Sequence, residues 1–361
     1  MQQRRQLYPL DHLRFFAASV VFAHHFRQPD EPDIGTGIVS FIADSWIRWG
    51  SNGVSLFLVL SGFLFVVICG DRQIHYGRFL TNRALRIFPL LIVVMLLLMT
   101  AKRDTWSADD LLQFVLLQMN GGHPMTGWGN DILPFGVTWT IAVEFQFYLL
   151  FPVLLVIMRR TSAEDPNEGL KSLLWMIAAM VLIRLFLAFI KGPDIYYNAY
   201  HTMLSRLDQF LIGMIAGRHF LSMTISKRMG IGLLLTGIVL LTIDVTNHQV
   251  NYYRVAVGLT AEALAWSLVI IGYTVIVTGT GAISRGLSWL GNLTFSLYLL
   301  HFFIAGVLLS RALEHGLDTG HPTLNFCLFA YVPTLALCVV TYLGIERPFL
   351  RLKVNYFKQS H

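Results

Sequence analysis

Ten apolar runs, each long enough to cross a bilayer, follow one another along this chain of 361 residues. They lie near 10–26, 53–69, 87–100, 137–158, 172–190, 203–217, 229–246, 255–278, 288–310 and 324–345. Hydrocarbon offers no partner for a free amide, so a continuous apolar run must satisfy its own backbone as a helix. Transmembrane strands alternate apolar and polar residues, and these runs do not. The sequence therefore predicts an all-α fold, a polytopic transmembrane bundle of about ten spans. Charged residues make up 13% of the chain, about half the share of a soluble domain. A soluble globular domain is excluded, and so is disorder, which needs low hydrophobicity. A further run at 108–119 is short and opens on Asp109-Asp110, which makes it interfacial or re-entrant.

Basic residues set the sidedness. With the N-terminus in the cytoplasm, the inner segments hold 17 Lys and Arg and the outer loops hold 7. Arg14, Arg184 and Arg206 lie inside runs. This distribution obeys the positive-inside rule and puts both termini in the cytoplasm. It fails if 108–119 crosses the membrane. The net charge of +6 is thus topological, and no nucleic-acid partner follows from it.

The first run has no small-residue cleavage site behind it and reads as a retained helix. Cys69, Cys327 and Cys338 form no CxxC and sit in apolar segments, where thiols are inert packing groups. No break in composition divides the chain and no soluble domain follows the last run, so a single integral-membrane domain is expected over 1–361. The longer outer loops are 27–52 and 101–136. The second carries Gly121-Gly122, Pro124, Gly127-Trp128-Gly129 and Pro134, a turn-rich set.

Ionisable side chains at span depth are costly, and they face polar interiors. This chain has Asp11, Arg14, His24, His25, Glu144, Arg184, Arg206, Asp208, Glu262 and His301 there. Each is open to a structural reading, as a polar contact locking helices together. Their depths add a second reading. At 1.5 Å per residue, His25 stands roughly 16 Å beyond Arg14. By the same spacing His25, Glu144 and His301 share a level in the outer half, while Arg14, Arg83, Arg86 and Arg347 lie at the inner face. Arg83 and Arg86 are three apart and share a helix face. Their guanidinium forks suit phosphate, although positive-inside bias alone also accounts for them. His24 and His25 point about 100° apart, so at most one is expected to face a given partner. Ser61-Gly62 marks either close helix packing or a place where a narrow ligand passes the backbone.

Six stretches in order resemble the membrane-bound acyltransferase-3 family, integral-membrane O-acyltransferases of bacterial surface glycans and some small molecules. They are Leu10-Asp11-His12-Leu13-Arg14 through His25-Phe26, Gly53-Val54 through Ser61-Gly62-Phe63, Asn82-Arg83-Ala84-Leu85-Arg86, Trp139 through Glu144 to Pro152, Gly291-Asn292 through Tyr298 to His301, and Glu346-Arg347-Pro348. They span residues 10 to 348. The sequence departs from the family pattern at His12 and Phe15, where Gly is usual. It departs again at Phe145, where a second acid is common, and at His24, which leaves His25 as the better base.

The resemblance implies a cytoplasmic acyl-CoA donor, usually acetyl-CoA, and a hydroxyl acceptor, often a sugar. It implies no metal, and a bacterial cytoplasmic (inner) membrane as the location. Arg14, Arg83 and Arg86 are expected to hold the donor's phosphates. His25 is the expected general base, oriented or stabilised by Glu144. Tyr298, His301 and Ser61 are expected near the acceptor or the oxyanion. Relatives with an appended hydrolase domain suggest that any such partner here is a separate protein. No Ser or Cys has an evident activating base, which favours direct transfer. The rival class is a transporter or flippase, which also carries intramembrane charge; no inverted repeat is apparent.

Overall fold

The structure is a computed structural model that describes residues 8–26, 37–101, 103–104, 106–120, 135–162, 165–193, 195, 200–279, 281–320 and 322–358. The glycine- and proline-rich stretch 121–134 lies outside them. Among the described residues the chain is helical without a strand, and one antiparallel bridge pairs Ile74 with Phe357. The helices are α1 (Tyr8–Phe26), α2 (Ile38–Arg48), α3 (Asn52–Cys69), α4 (Tyr76–Ala101), α5 (Ala108–Val115), α6 (Phe135–Met158), α7 (Glu168–Lys191), α8 (Met203–Ser222), α9 (Lys227–Thr246), α10 (Leu259–Ile276), α11 (Ala282–Gly291), α12 (Thr294–Glu314) and α13 (Thr323–Leu350). π-Helical turns precede α10 at Arg254–Gly258 and interrupt α13 at Phe326–Tyr331 and Tyr342–Glu346.

Eight of these helices are long and apolar enough to cross a membrane: α3, α4, α6, α7, α9, α10, α12 and α13. The other two predicted runs, 10–26 and 203–217, form α1 and α8 and fall outside that set. Asp11 and Arg14 in α1, and Arg206, Asp208 and Arg218 in α8, lower their apolar character. Both helices bury much of their length against other helices, so neither needs to present a lipid-compatible face all round.

Two boundaries differ from the predicted ones. The run at 87–100 is the second half of α4, which begins at Tyr76 and carries Arg83 and Arg86 as helical residues. The run at 288–310 is divided at Asn292–Leu293 between α11 and α12. The segment 108–119 forms only the eight-residue α5, opened by a Ser107–Asp110 capping box. At 1.5 Å per residue α5 is about 12 Å long, too short to cross.

Burial sorts the bundle into centre and rim. The apolar window of α3 is 83% buried, against 22% for α7 and α9 and 17% for α13. Helix α3 packs on α8 at two glycines. A Cβ on Gly62 would lie 2.1 Å from the Phe210 carbonyl oxygen, and one on Gly213 would lie 2.1 Å from that of Val59. Such contact needs glycine, because association within a membrane rests on close backbone packing. Gly62 thus serves helix packing. Ser61 next to it faces elsewhere.

Buried ion pairs tie α7, α8 and α10 together. Arg184 meets Asp208 at 2.7 Å, and both side chains are fully buried. Arg184 also donates to the Ala256 carbonyl and to Thr260, which in turn donates to Asp208. Arg254 pairs with Asp244 at 3.0 Å and Glu262 at 2.9 Å, and Glu262 accepts from Ser55 at 2.6 Å. For Arg184, Asp208 and Glu262 the structural reading of intramembrane charge is the one the contacts support.

Candidate active site

Two cavities meet at the wall formed by Val54 and Tyr298. The first, of about 310 Å³, is lined by Asp11 and Arg14 of α1, Ser61 of α3, Arg83 and Arg86 of α4, Glu144 and Tyr148 of α6, and Lys353. The uninterrupted turn of α4 from Arg83 to Arg86 brings both guanidinium groups to it. Arg86 is neutralised by buried Glu346 at 3.2 Å, and Ser296 donates to the same carboxylate. Arg14 pairs with Asp11 at 3.5 Å. Among the described residues Arg83 meets no carboxylate. Its guanidinium lies 5.0, 5.5 and 5.8 Å from the ring centres of Phe65, Phe79 and Tyr148. Arg347, expected beside these arginines, is exposed and does not line the cavity.

The second cavity, of about 340 Å³, is lined by His24 and His25 of α1, Trp139 of α6, and Trp49, Tyr200, His201 and His248 from segments between helices. His25 and His301 are brought together, with Nδ1 of His25 3.0 Å from Nε2 of His301. Nδ1 of His301 lies 3.1 Å from the Leu297 carbonyl oxygen, which can only accept. In neutral His301 the proton is therefore on Nδ1. Its Nε2 then accepts from Nδ1–H of His25, and Nε2 of His25 keeps its lone pair. His24 also lines this cavity, but the two adjacent histidines have different partners. Hydrogen bonds to the Arg48 and Ile47 carbonyls hold His24 at the end of α2.

The wall between the cavities is polar at one point. Thr140 donates to the Tyr298 hydroxyl at 2.7 Å, which leaves the phenolic proton to be donated elsewhere. Aromatic side chains shape the second cavity. The His248 ring stacks on Trp49 at 3.6 Å and 20°. Burial, the positive Arg254 and then His24 push the His248 imidazole down to about 3, so it is neutral at physiological pH. Buried Arg206 lies 3.9 Å over the Tyr200 ring.

Glu144, expected to orient or stabilise His25, has other partners. It lines the arginine cavity, where it accepts from Ser61 at 3.3 Å and from Tyr148. The residue beside His25 is His301. Counting rise along each helix places residues in depth but not around the bundle axis, so it does not tell which residue meets His25. Sequence reading missed Tyr148, Thr140, His248 and Lys353. Tyr148 stands four residues after Glu144 on the same helix, so helical spacing was enough to find it. Thr140, four residues before Glu144, was open to the same reading, whereas His248 and Lys353 reach the site through tertiary contacts alone.

A family model described as an acyltransferase domain matches residues 7–343. Nodulation protein 10 of Rhizobium leguminosarum bv. viciae is 31% identical over 42% of this chain and 44% of that protein. A putative O-acetyltransferase of Staphylococcus aureus (strain COL) is 24% identical over 49% of this chain and 32% of the relative. Peptidoglycan O-acetyltransferase OatA of Listeria monocytogenes is 21% identical over 98% of this chain and 58% of the relative. The chain thus spans less than two thirds of the length of each of these relatives. No solved structure matches.

Proposed function

This chain belongs to the membrane-bound acyltransferase-3 family, and from that premise we propose that it moves an acyl group, acetyl by preference, from cytoplasmic acyl-CoA to a hydroxyl of a surface glycan or related acceptor. The observation that carries this reading is the pair of cavities back to back at Tyr298, one rich in arginine and the other in histidine. An anionic donor and a hydroxyl acceptor need different chemistry, and each cavity supplies one kind. O-acetyltransferases among the relatives support acetyl as the group moved. The excess of basic residues in the inner segments supports a cytoplasmic donor side.

In this reading Arg83, with Arg14 and Arg86, binds the donor's phosphates, and the thioester reaches toward Tyr298. The acceptor enters the histidine cavity. Nε2 of His25 takes the hydroxyl proton as the oxygen attacks the thioester carbon. His301 fixes the tautomer that makes this nitrogen basic, as a supporting group does in a triad. The phenolic proton of Tyr298 stabilises the developing oxyanion. Collapse of the tetrahedral intermediate breaks the C–S bond, and the departing thiolate takes the proton that His25 gained. Glu144 stays on the donor side with Ser61 and Tyr148 and orders that cavity.

Mass spectrometry of surface glycans with and without the gene tests the reading, together with exchange or hydrolysis of acetyl-CoA by purified protein. One acyl mass lost with the gene, and turnover of acetyl-CoA, are the expected results. A protein that leaves both untouched is a carrier and not a transferase.

A further inference from the structure

The residues that follow α13 return across the turn between α3 and α4 and strap themselves to it. His75 N–H donates to the Tyr356 carbonyl at 2.7 Å, and Lys358 N–H donates to the Gln73 carbonyl at 2.9 Å. The Arg72 guanidinium lies 3.6 Å over the Phe357 ring. The strap's anchor on α4 is Asn82, which is buried. Its Nδ2 donates to the Val354 carbonyl at 2.7 Å, and its Oδ1 accepts from Val354 N–H at 2.9 Å. Both ends of one amide are used, which fixes a single register. Arg83 follows Asn82, and Lys353 precedes Val354. One two-way contact therefore brings a cation from each segment to the same cavity.

Charge balance in that cavity is uneven. Arg86 has Glu346 and Arg14 has Asp11. Among the described residues neither Arg83 nor Lys353 meets a carboxylate, and both line the cavity. Two cations beside each other and without a carboxylate repel, and an anion with more than one phosphate relieves that repulsion.

We propose that Lys353 is a further binding residue for the phosphate groups of the donor, with Asn82 as its positioning residue. This rests on the donor reading above. Lys353 shares the cavity with Asp11 and Arg14 of α1, Arg83 and Arg86 of α4, Glu144 and Tyr148 of α6, and Tyr298 of α12. Loss of hydration and the charges of Arg83, Arg86 and Arg14 push its ammonium down to about 7. A bound phosphate reverses that repulsion. Binding above neutral pH therefore takes up a proton at Lys353.

The test is calorimetric binding of CoA to the full-length protein in detergent, at pH 7 to 8.5 and in buffers of different ionisation enthalpy. Wild type should take up close to one proton on Lys353 at the upper end. Lys353→Met should weaken binding by about tenfold at pH 7, the scale of one charged hydrogen bond, and lose the uptake. Lys353→Arg should restore affinity without the uptake, because guanidinium does not deprotonate. Asn82→Ala should weaken binding with folding intact. Wild type that binds CoA with the same affinity and proton uptake as Lys353→Met overturns the proposal and leaves the donor reading standing. Wild type that binds no CoA overturns both.

Discussion

Nδ1 of His25 lies 3.0 Å from Nε2 of His301, across the interface of α1 and α12 and 276 residues apart in sequence. The far side of the His301 ring is fixed by the Leu297 carbonyl. A backbone oxygen four residues back along α12 thus fixes the His301 tautomer that His25 meets. Second partners of this kind set histidine tautomers in many acid–base sites.

His25→Ala should abolish transfer, because a positioned general base contributes about 10²–10⁴-fold. His301→Phe should cost less, on the order of tenfold to a hundredfold, since Nε2 of His25 remains but its orientation is lost. Both are read from acetyl release onto glycan with equal amounts of folded protein in the membrane. Wild-type turnover in His25→Ala would remove this histidine from the mechanism.

Donor and acceptor terms should separate by cavity. Arg83→Ala is expected to raise the acyl-CoA requirement by roughly tenfold, the scale of one charge-assisted contact, with little change toward acceptor. Glu144→Gln removes a negative charge from the same cavity and should leave donor affinity unchanged or tighter. Steady-state kinetics with each substrate varied in turn checks both. A rise in the acceptor KM alone for Glu144→Gln would return Glu144 to the side of His25.

Arg184→Met should destabilise the protein by about 3–5 kcal/mol, because it strands buried Asp208 without its partner. The double variant Arg184→Met with Asp208→Leu should recover part of that loss. Thermal unfolding in detergent gives the comparison, and equal melting temperatures for single and double variants would contradict it.

Gly62→Ala and Gly213→Ala should each lower the melting temperature, because the added methyl meets backbone at 2.1 Å and α3 must part from α8. Gly232→Ala is the control, since its Cβ would meet nothing within 4 Å. Equal stability in all three would mean that the α3–α8 contact tolerates a side chain.

The Trp49–His248 stack carries a pH dependence. The His248 imidazole is held to about 3 in the fold, against about 6.5 when unfolded. Its contribution to stability is therefore complete above about 6.5 and declines as pH falls from there toward about 3. Unfolding temperature from pH 7.5 to 5 should fall less in His248→Phe than in wild type. Parallel curves would place the effect elsewhere.

Much of this was readable in the sequence. Long continuous apolar runs dictate helices, because hydrocarbon leaves no other way to satisfy the backbone. The spacing of Arg83 and Arg86 put both on one face, and α4 carries them into one cavity. Arg14, His25, Ser61, Glu144, Tyr298 and His301, all singled out beforehand, line or adjoin the two cavities. The chain's place among membrane acyltransferases was legible from six ordered motifs.

The partners were decided only by tertiary structure. Helical rise measures depth along one element. The angle at which that element meets its neighbours depends on packing, here on the glycines that let α3 touch α8. Packing put His301, not Glu144, beside His25, and put Glu144 among the arginines. Lys353 had no sequence signal at all, because its position follows from the amide of Asn82, 271 residues away by numbering. The sequence by itself determined which charges enter the bundle, since their cost is local. The fold decided which charges meet, since that requires two surfaces to be packed together.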